Sequence, residues 1–328
     1  MIPPEIHGRN LRLLLAPIAS LLSDPSVSEI MINGPDAIYV ERRGVLARAA
    51  HGFGDQRSLL SALRGVAQYA GRPLDEQSPI LEASLPDGSR IEAVLPPAAP
   101  DGPIVSIRRM QNAALTLQGI MESGGVSERG RRVLQALVER RCNVLIAGGT
   151  GAGKTSVLGA LCTLLPEHER VVVIEDSREL SLAHPHVVRL EGRPPDGRGQ
   201  HAISVRQLFK ATLRLRPDRI VIGEIRGGEA LELIQAMTSG HGGCLSTIHA
   251  SSPLDALHRL ETLSLMSGVQ LPLHALRAQI GSAIQAVVQT QRRSSGQRVV
   301  ADVVAVAAGT RGYALQALYR AETKESAR

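Results

Sequence analysis

From Asn143 to Leu165 the chain reads NVLIAGGTGAGKTSVLGALCTLL: an apolar run, a glycine-rich loop, then a second apolar run of helical composition. Few folds accommodate such a segment. A continuous apolar strand is buried on both faces, which calls for a parallel sheet covered by helices on both sides. GGTGAGKT, Gly148 to Thr155, fits the pattern G-x-x-x-x-G-K-[ST], with the strand before it and the helix after it that this pattern requires. The expected phosphate-binding residues are Gly148, Gly149, Thr150, Gly151, Ala152, Gly153, Lys154, Thr155 and Ser156. Glycines let the backbone N–H groups wrap phosphate oxygens at a helix N-terminus, Lys154 adds charge at the β- and γ-phosphates, and the Thr155 hydroxyl can ligate Mg²⁺. ATP and Mg²⁺ are therefore the expected cofactors.

Two later apolar runs end in acids. RVVVIEDSREL places Glu175 and Asp176 at the carboxyl end of a buried strand, where open parallel sheets bind ligands. Glu175 is expected to hold the metal through water or to orient the attacking water; the alternative has Asp176 capping the next segment and Glu179 simply solvated. RIVIGEIRGG ends in Gly223 and Glu224, whereas the usual arrangement has an Asp directly after the apolar run. Glu224 is the first side chain able to reach from that strand tip toward a γ-phosphate. It is the first choice for general base, with Glu175 ordering metal-bound water, although the two roles could be exchanged. A competing reading pairs Glu224 with Arg226 or Arg219. In SGHGGCLSTIHAS, His241 and His249 flank a short strand. With Cys244 they make a poor zinc set, because an extended segment splits the three side chains between faces. They are expected to sense or position the phosphate end of the site, or else to be satisfied polar core groups.

The 328 residues, 43% of them hydrophobic, can bury a large core, and the boundary is placed near residue 115: an α+β N-terminal domain over 1–115 and an α/β domain over 116–328. In the first, LPDGSRIEAVL contains a hairpin turn, and LRLLLAPIASLL is an amphipathic first helix, too short and interrupted by Arg12 and Pro17 to cross a bilayer. The run from Gln111 to Gly125 reads as an interdomain connection. Cys142, Cys162 and Cys244 lack paired spacing, which suits a reducing cytosol rather than a disulfide framework. The net charge of +6 would suit nucleic acid or an anionic membrane face, but with 2% aromatic residues and no Trp there are few platforms for base stacking. No nucleic-acid partner and no transmembrane segment are expected.

In chain order, GGTGAGKT, VIEDSREL, LRLRPDRIVIGEIRGGEAL and SGHGGCLSTIHASSPLDALHRLETL resemble the Walker A, Asp box, Walker B and His box of the type II/type IV secretion ATPase superfamily. VSEIMINGPDAIYVERRG, LPDGSRIEAVLPP and IVSIRR further resemble the Flp-pilus or tight-adherence (Tad) assembly ATPases, and the four-cysteine zinc insertion of some superfamily members is absent. The resemblance spans Val27 to Val306 and implies a RecA-like P-loop NTPase domain. It also implies a cytoplasmic homohexamer, peripheral at the bacterial inner membrane, which hydrolyses ATP to drive pilus assembly or secretion through an inner-membrane platform protein. By motif match, Arg90 and Arg108 are the candidate phosphate arginines, with Arg193 of LEGRPP a further one. A conjugative or type IV effector-secretion ATPase, or a nucleic-acid translocase on the same core, are the alternatives.

Overall fold

Alternation along the strands decides the first unit. The computed structural model describes residues 10–42, 44–110, 115–195, 200–309 and 312–322. It divides into one unit of Met1–Asn112 with Pro195–Ala202, and another of Ala113–Pro194 with Ile203–Arg328. In the first, β1 (Val27–Asn33), β2 (Ile38–Arg42), β3 (Val45–Arg48), β4 (Ile80–Ser84), β5 (Arg90–Val94) and β6 (Ile104–Arg108) form one sheet in the order β3-β2-β1-β6-β5-β4. Its pairings are antiparallel. Ile30, Ile32, Val40, Ile91, Val105 and Ile107 share a core with Leu59, Leu63 and Val66 of the helix Gln56–Ala70. That helix starts where the Asp55 side chain accepts the Ser58 N–H, and it stops at Gly71, whose φ of 65° is costly for other residues. The single helix expected over Leu11 to Leu22 is interrupted by a 3₁₀ turn at Ala16–Ile18 before a short helix at Ala19–Ser23. Pro17 lies inside that turn and has no N–H to continue the ladder.

The second unit carries β7 (Val144–Gly148), β8 (Val171–Glu175), β9 (Val187–Glu191), β10 (Arg219–Ile222), β11 (Leu245–His249), β12 (Ala286–Arg292), β13 (Arg298–Gly309) and β14 (Gly312–Arg320). Their order is β14-β13-β12-β7-β11-β10-β8-β9. From β12 to β9 the pairings are parallel, and β13 and β14 add antiparallel strands at one edge. Period-two geometry sends Leu145, Ala147, Val172, Ile174, Ile220 and Ile222 to one face. There they meet helices Val205–Thr212, Glu229–Thr238, Pro253–Leu265 and Leu273–Ala283. Val144, Ile146, Val171, Val173 and Val221 go to the other, against helices Leu117–Glu122, Glu128–Glu139 and Lys154–Cys162. The helix Leu117–Glu122 lies in the run read from sequence as a connection. Its Thr116 cap accepts the Gly119 N–H, and Leu117 and Ile120 are buried; residues 111–114 of that run lie outside the described residues. Burial pushes the Cys162 and Cys244 thiols up to about 12, so both behave as small apolar side chains.

At the amino ends of β8 and β10 a charge network is sealed inside. Arg219 Nε donates to Glu169 Oε2 at 2.5 Å, with only 2% and 7% of the two side chains exposed. Arg141 donates to the other Glu169 oxygen from a more exposed position. Removing one member of a buried pair strands the other charge. Arg219→Ala should therefore destabilise the fold by about 3 kcal/mol, the low end for such pairs because Arg141 remains. A lowered urea midpoint at unchanged slope is the expected reading; a midpoint within error of the unaltered chain would show that the network contributes nothing.

Candidate functional site

The carboxyl ends of the parallel strands bring the sequence motifs together. Register places His249 beside Gly148, Ile222 beside Ile174, and Glu175 beside Glu191, so β7, β11, β10, β8 and β9 end along one edge. The glycine-rich loop emerges there from β7. Gly151 and Gly153 have φ of +68° and +92°, and the helix opens at Lys154 without a side-chain cap. Its first N–H groups are thus left for an anion. Lys154 Nζ donates to the carbonyls of Gly148 and Gly149, at 3.0 Å each, which folds the ammonium along the loop. A Cβ on Gly149 would meet nothing within 4 Å, so the loop has open space beside it.

The missing Asp of β10 has a steric explanation. Glu175, on the adjacent strand, runs its side chain across Gly223: a Cβ there would lie 2.9 Å from Glu175 Cγ and 3.4 Å from Oε1. Only glycine leaves that passage open. Glu175 is 5% exposed, and its Oε1 accepts the N–H groups of Glu179 and Leu180, at 2.9 Å each. Burial pushes its carboxyl above the usual range, and the two backbone donors oppose that shift. Glu175 therefore shapes the segment that follows it. That segment carries Glu179, whose Oε2 lies 3.5 Å from Thr155 Oγ1. Glu179, which one sequence reading left in solvent, stands beside the P-loop hydroxyl.

Glu224 is held by Arg226, as the competing sequence reading had it. Its Oε2 accepts from Nε at 3.0 Å and Nη2 at 2.7 Å, while Nη1 of the same guanidinium lies 3.6 Å from Asp176 Oδ2. The Arg226 N–H is in turn fixed by Glu229 Oε1 at 2.7 Å, and Gly223 O accepts from Thr247 Oγ1 at 2.6 Å. Arg226 thus joins the ends of β8 and β10. In the sequence alone, an Arg two positions from a Glu reads as a local ion pair, which gives no sign of the link to Asp176.

The two histidines separate. His249 ends β11 at the P-loop edge, but His241 precedes the same strand, whose five residues span roughly 13 Å at ~3.3 Å each. The expectation that both serve the phosphate end is corrected for His241. It lies at the opposite end of the sheet, with Nδ1 buried and without a hydrogen-bond partner, and with its carbonyl accepting from Cys244 Sγ. Arg193 follows β9 and pairs with Ile203, two residues past Glu191. Arg90 and Arg108 belong to the first unit, where they face each other across β5 and β6, Arg90 bonding Glu82 at 3.1 Å.

These features define a RecA-like P-loop NTPase domain, preceded in the chain by a smaller α+β domain. Residues 14–314 match the type II/IV secretion system protein family, to which the chain belongs. It is 34% identical to the putative conjugal transfer protein Rv3659c of Mycobacterium tuberculosis, over 86% of this chain and 82% of that protein. It is 35% identical to the type IV secretion system protein PtlH of Bordetella pertussis, over 86% and 91% respectively. The crystal structure of the pilus retraction motor PilT with bound ADP superposes with a TM-score of 0.61, covering 94% of this chain and 82% of that one at 17% identity, a likeness of fold. Among the described residues, no helix is long and apolar enough to cross a membrane.

Proposed function

We propose that this protein is an ATP-hydrolysing motor of a secretion or pilus-assembly machine. The observation that carries the reading is the convergence, on one sheet edge, of a P-loop with Lys154 folded along it, the Thr155 hydroxyl beside Glu179, and two further glutamates at strand ends. The residues fit the cofactors. Thr155, Glu179 and Glu175 present hard oxygen ligands of the kind Mg²⁺ takes directly or through water. Mg²⁺ bound there would neutralise charge on the phosphates. Lys154 and the loop N–H groups hold the phosphates, and Glu224, once Arg226 shifts toward Asp176, accepts a proton from the attacking water. The ADP in PilT supports a nucleotide in this fold.

The N-terminal strings and the absent zinc insertion support a tight-adherence pilus motor, working as a homohexamer on an inner-membrane platform protein. The names of the relatives, conjugal transfer and type IV secretion proteins, favour the conjugative branch as a second reading. Two measurements test the proposal. Purified protein should release phosphate from ATP at a rate in the usual range for such enzymes, about 1 s⁻¹ or faster when assembled, abolished by chelator and unchanged by added DNA. No phosphate release with Mg²⁺ present would leave a nucleotide-gated scaffold. In a strain lacking the gene, loss of surface pili with intact plasmid transfer supports the tight-adherence branch, and the reverse supports the conjugative one.

A further inference from the structure

A second set of contacts reaches the P-loop from the far end of the chain. Strand β12 runs parallel to β7 as far as the pair Gln289 and Ala147, and its antiparallel pairing with β13 shifts register between Gln289 and Thr290. At the break, Thr290 Oγ1 donates to the Ala147 carbonyl at 3.0 Å, and a Cβ on Gly148 would lie 2.2 Å from that hydroxyl. Beyond it, Arg292 and Arg298 stand opposite each other as the pair next to the turn of the β12–β13 hairpin. Arg298 Nε donates to the Gly151 carbonyl at 3.0 Å, and its stem lies 3.4 to 3.8 Å from where a Cβ on Gly153 would be. Arg292 Nη1 comes within 3.7 Å of the corresponding position on Gly151.

A loop that cradles phosphate must turn successive N–H groups inward, which turns carbonyls outward. An outward carbonyl left without a donor is free to rotate the peptide and point its negative end at the anion. Gly151, with φ of +68°, has no side chain to resist that rotation. We infer that Arg298 is a positioning residue for the nucleotide site: its charge-assisted hydrogen bond to the Gly151 carbonyl holds the P-loop in its phosphate-accepting form before nucleotide arrives. This inference rests on the nucleotide-site reading above.

The experiment measures ADP affinity by titration calorimetry for the unaltered chain, Arg298→Met and Arg298→Lys, with thermal melts in the absence of nucleotide. Met keeps the stem over Gly153 and removes the donor; Lys keeps a charged donor. The expected result is about tenfold weaker ADP binding for Arg298→Met, recovery to within about threefold for Arg298→Lys, and nucleotide-free melting points equal for all three. ADP affinity unchanged in Arg298→Met overturns the inference, as does equal loss in both variants. No ADP binding by the unaltered chain sinks the nucleotide reading itself, and the inference with it.

Discussion

Glu224→Gln should bind ATP with near-normal affinity and hydrolyse it about 10²–10⁴-fold more slowly, the contribution usual for a positioned general base. The isosteric amide keeps an oxygen for the Arg226 guanidinium, which now donates twice to Glu224 Oε2, so the strand tip should hold its shape. Only the capacity to take a proton is lost. Glu175→Gln is the comparison: its amide oxygen can still accept the N–H groups of Glu179 and Leu180, more weakly than a carboxylate, while the charge offered to Mg²⁺ is lost, so nucleotide affinity should fall along with turnover. Single-turnover hydrolysis beside nucleotide affinity separates the two variants. If Glu224→Gln kept full turnover while Glu175→Gln bound ATP and failed to hydrolyse it, the two glutamates would exchange roles.

The second large effect is expected from writing the conventional sequence back into β10. Gly223→Asp places a Cβ 2.9 Å from Glu175 Cγ and a second carboxylate beside one that is already 5% exposed. Overpacking alone costs about 1–3 kcal/mol, and like charges in a site shielded from water add to it. The variant should lose stability and hydrolysis together. Gly223→Ala, with the steric term and no charge, should lose less. The diagnostic measurement is the double variant Gly223→Asp with Glu175→Gly, which moves the acid from one strand to its neighbour. With Glu175→Gly measured alongside, chemical denaturation should show the double variant losing less than the sum of the two single losses, by a coupling of about 0.5–3 kcal/mol. Strict additivity would mean that the two positions do not exclude each other.

Much of this site was readable from local pattern. Strand, glycine loop and helix are contiguous, so GGTGAGKT carried its own context, and apolar runs ending in acids placed Glu175 and Glu224 at strand tips. The spacing of His241 and His249 was equally visible, yet its consequence was missed. Seven residues of separation across an extended strand put the two side chains at opposite ends of the sheet, whatever their shared motif suggests. Glu179 was legible only as an acid after a strand. Its approach to Thr155 depends on the turn that Glu175 ties through two backbone N–H groups.

Fold class and the strand–loop–helix segment are legible from sequence because period-two burial, glycine conformational freedom and the P-loop pattern are local properties of neighbouring residues. The crossing of Gly223 by the Glu175 side chain, the reach of Arg226 to Asp176 and the bond from Arg298 to Gly151, 147 positions away, come from the three-dimensional arrangement. Each of these follows from the register of strands that are distant in sequence, and register is fixed by packing across the whole sheet.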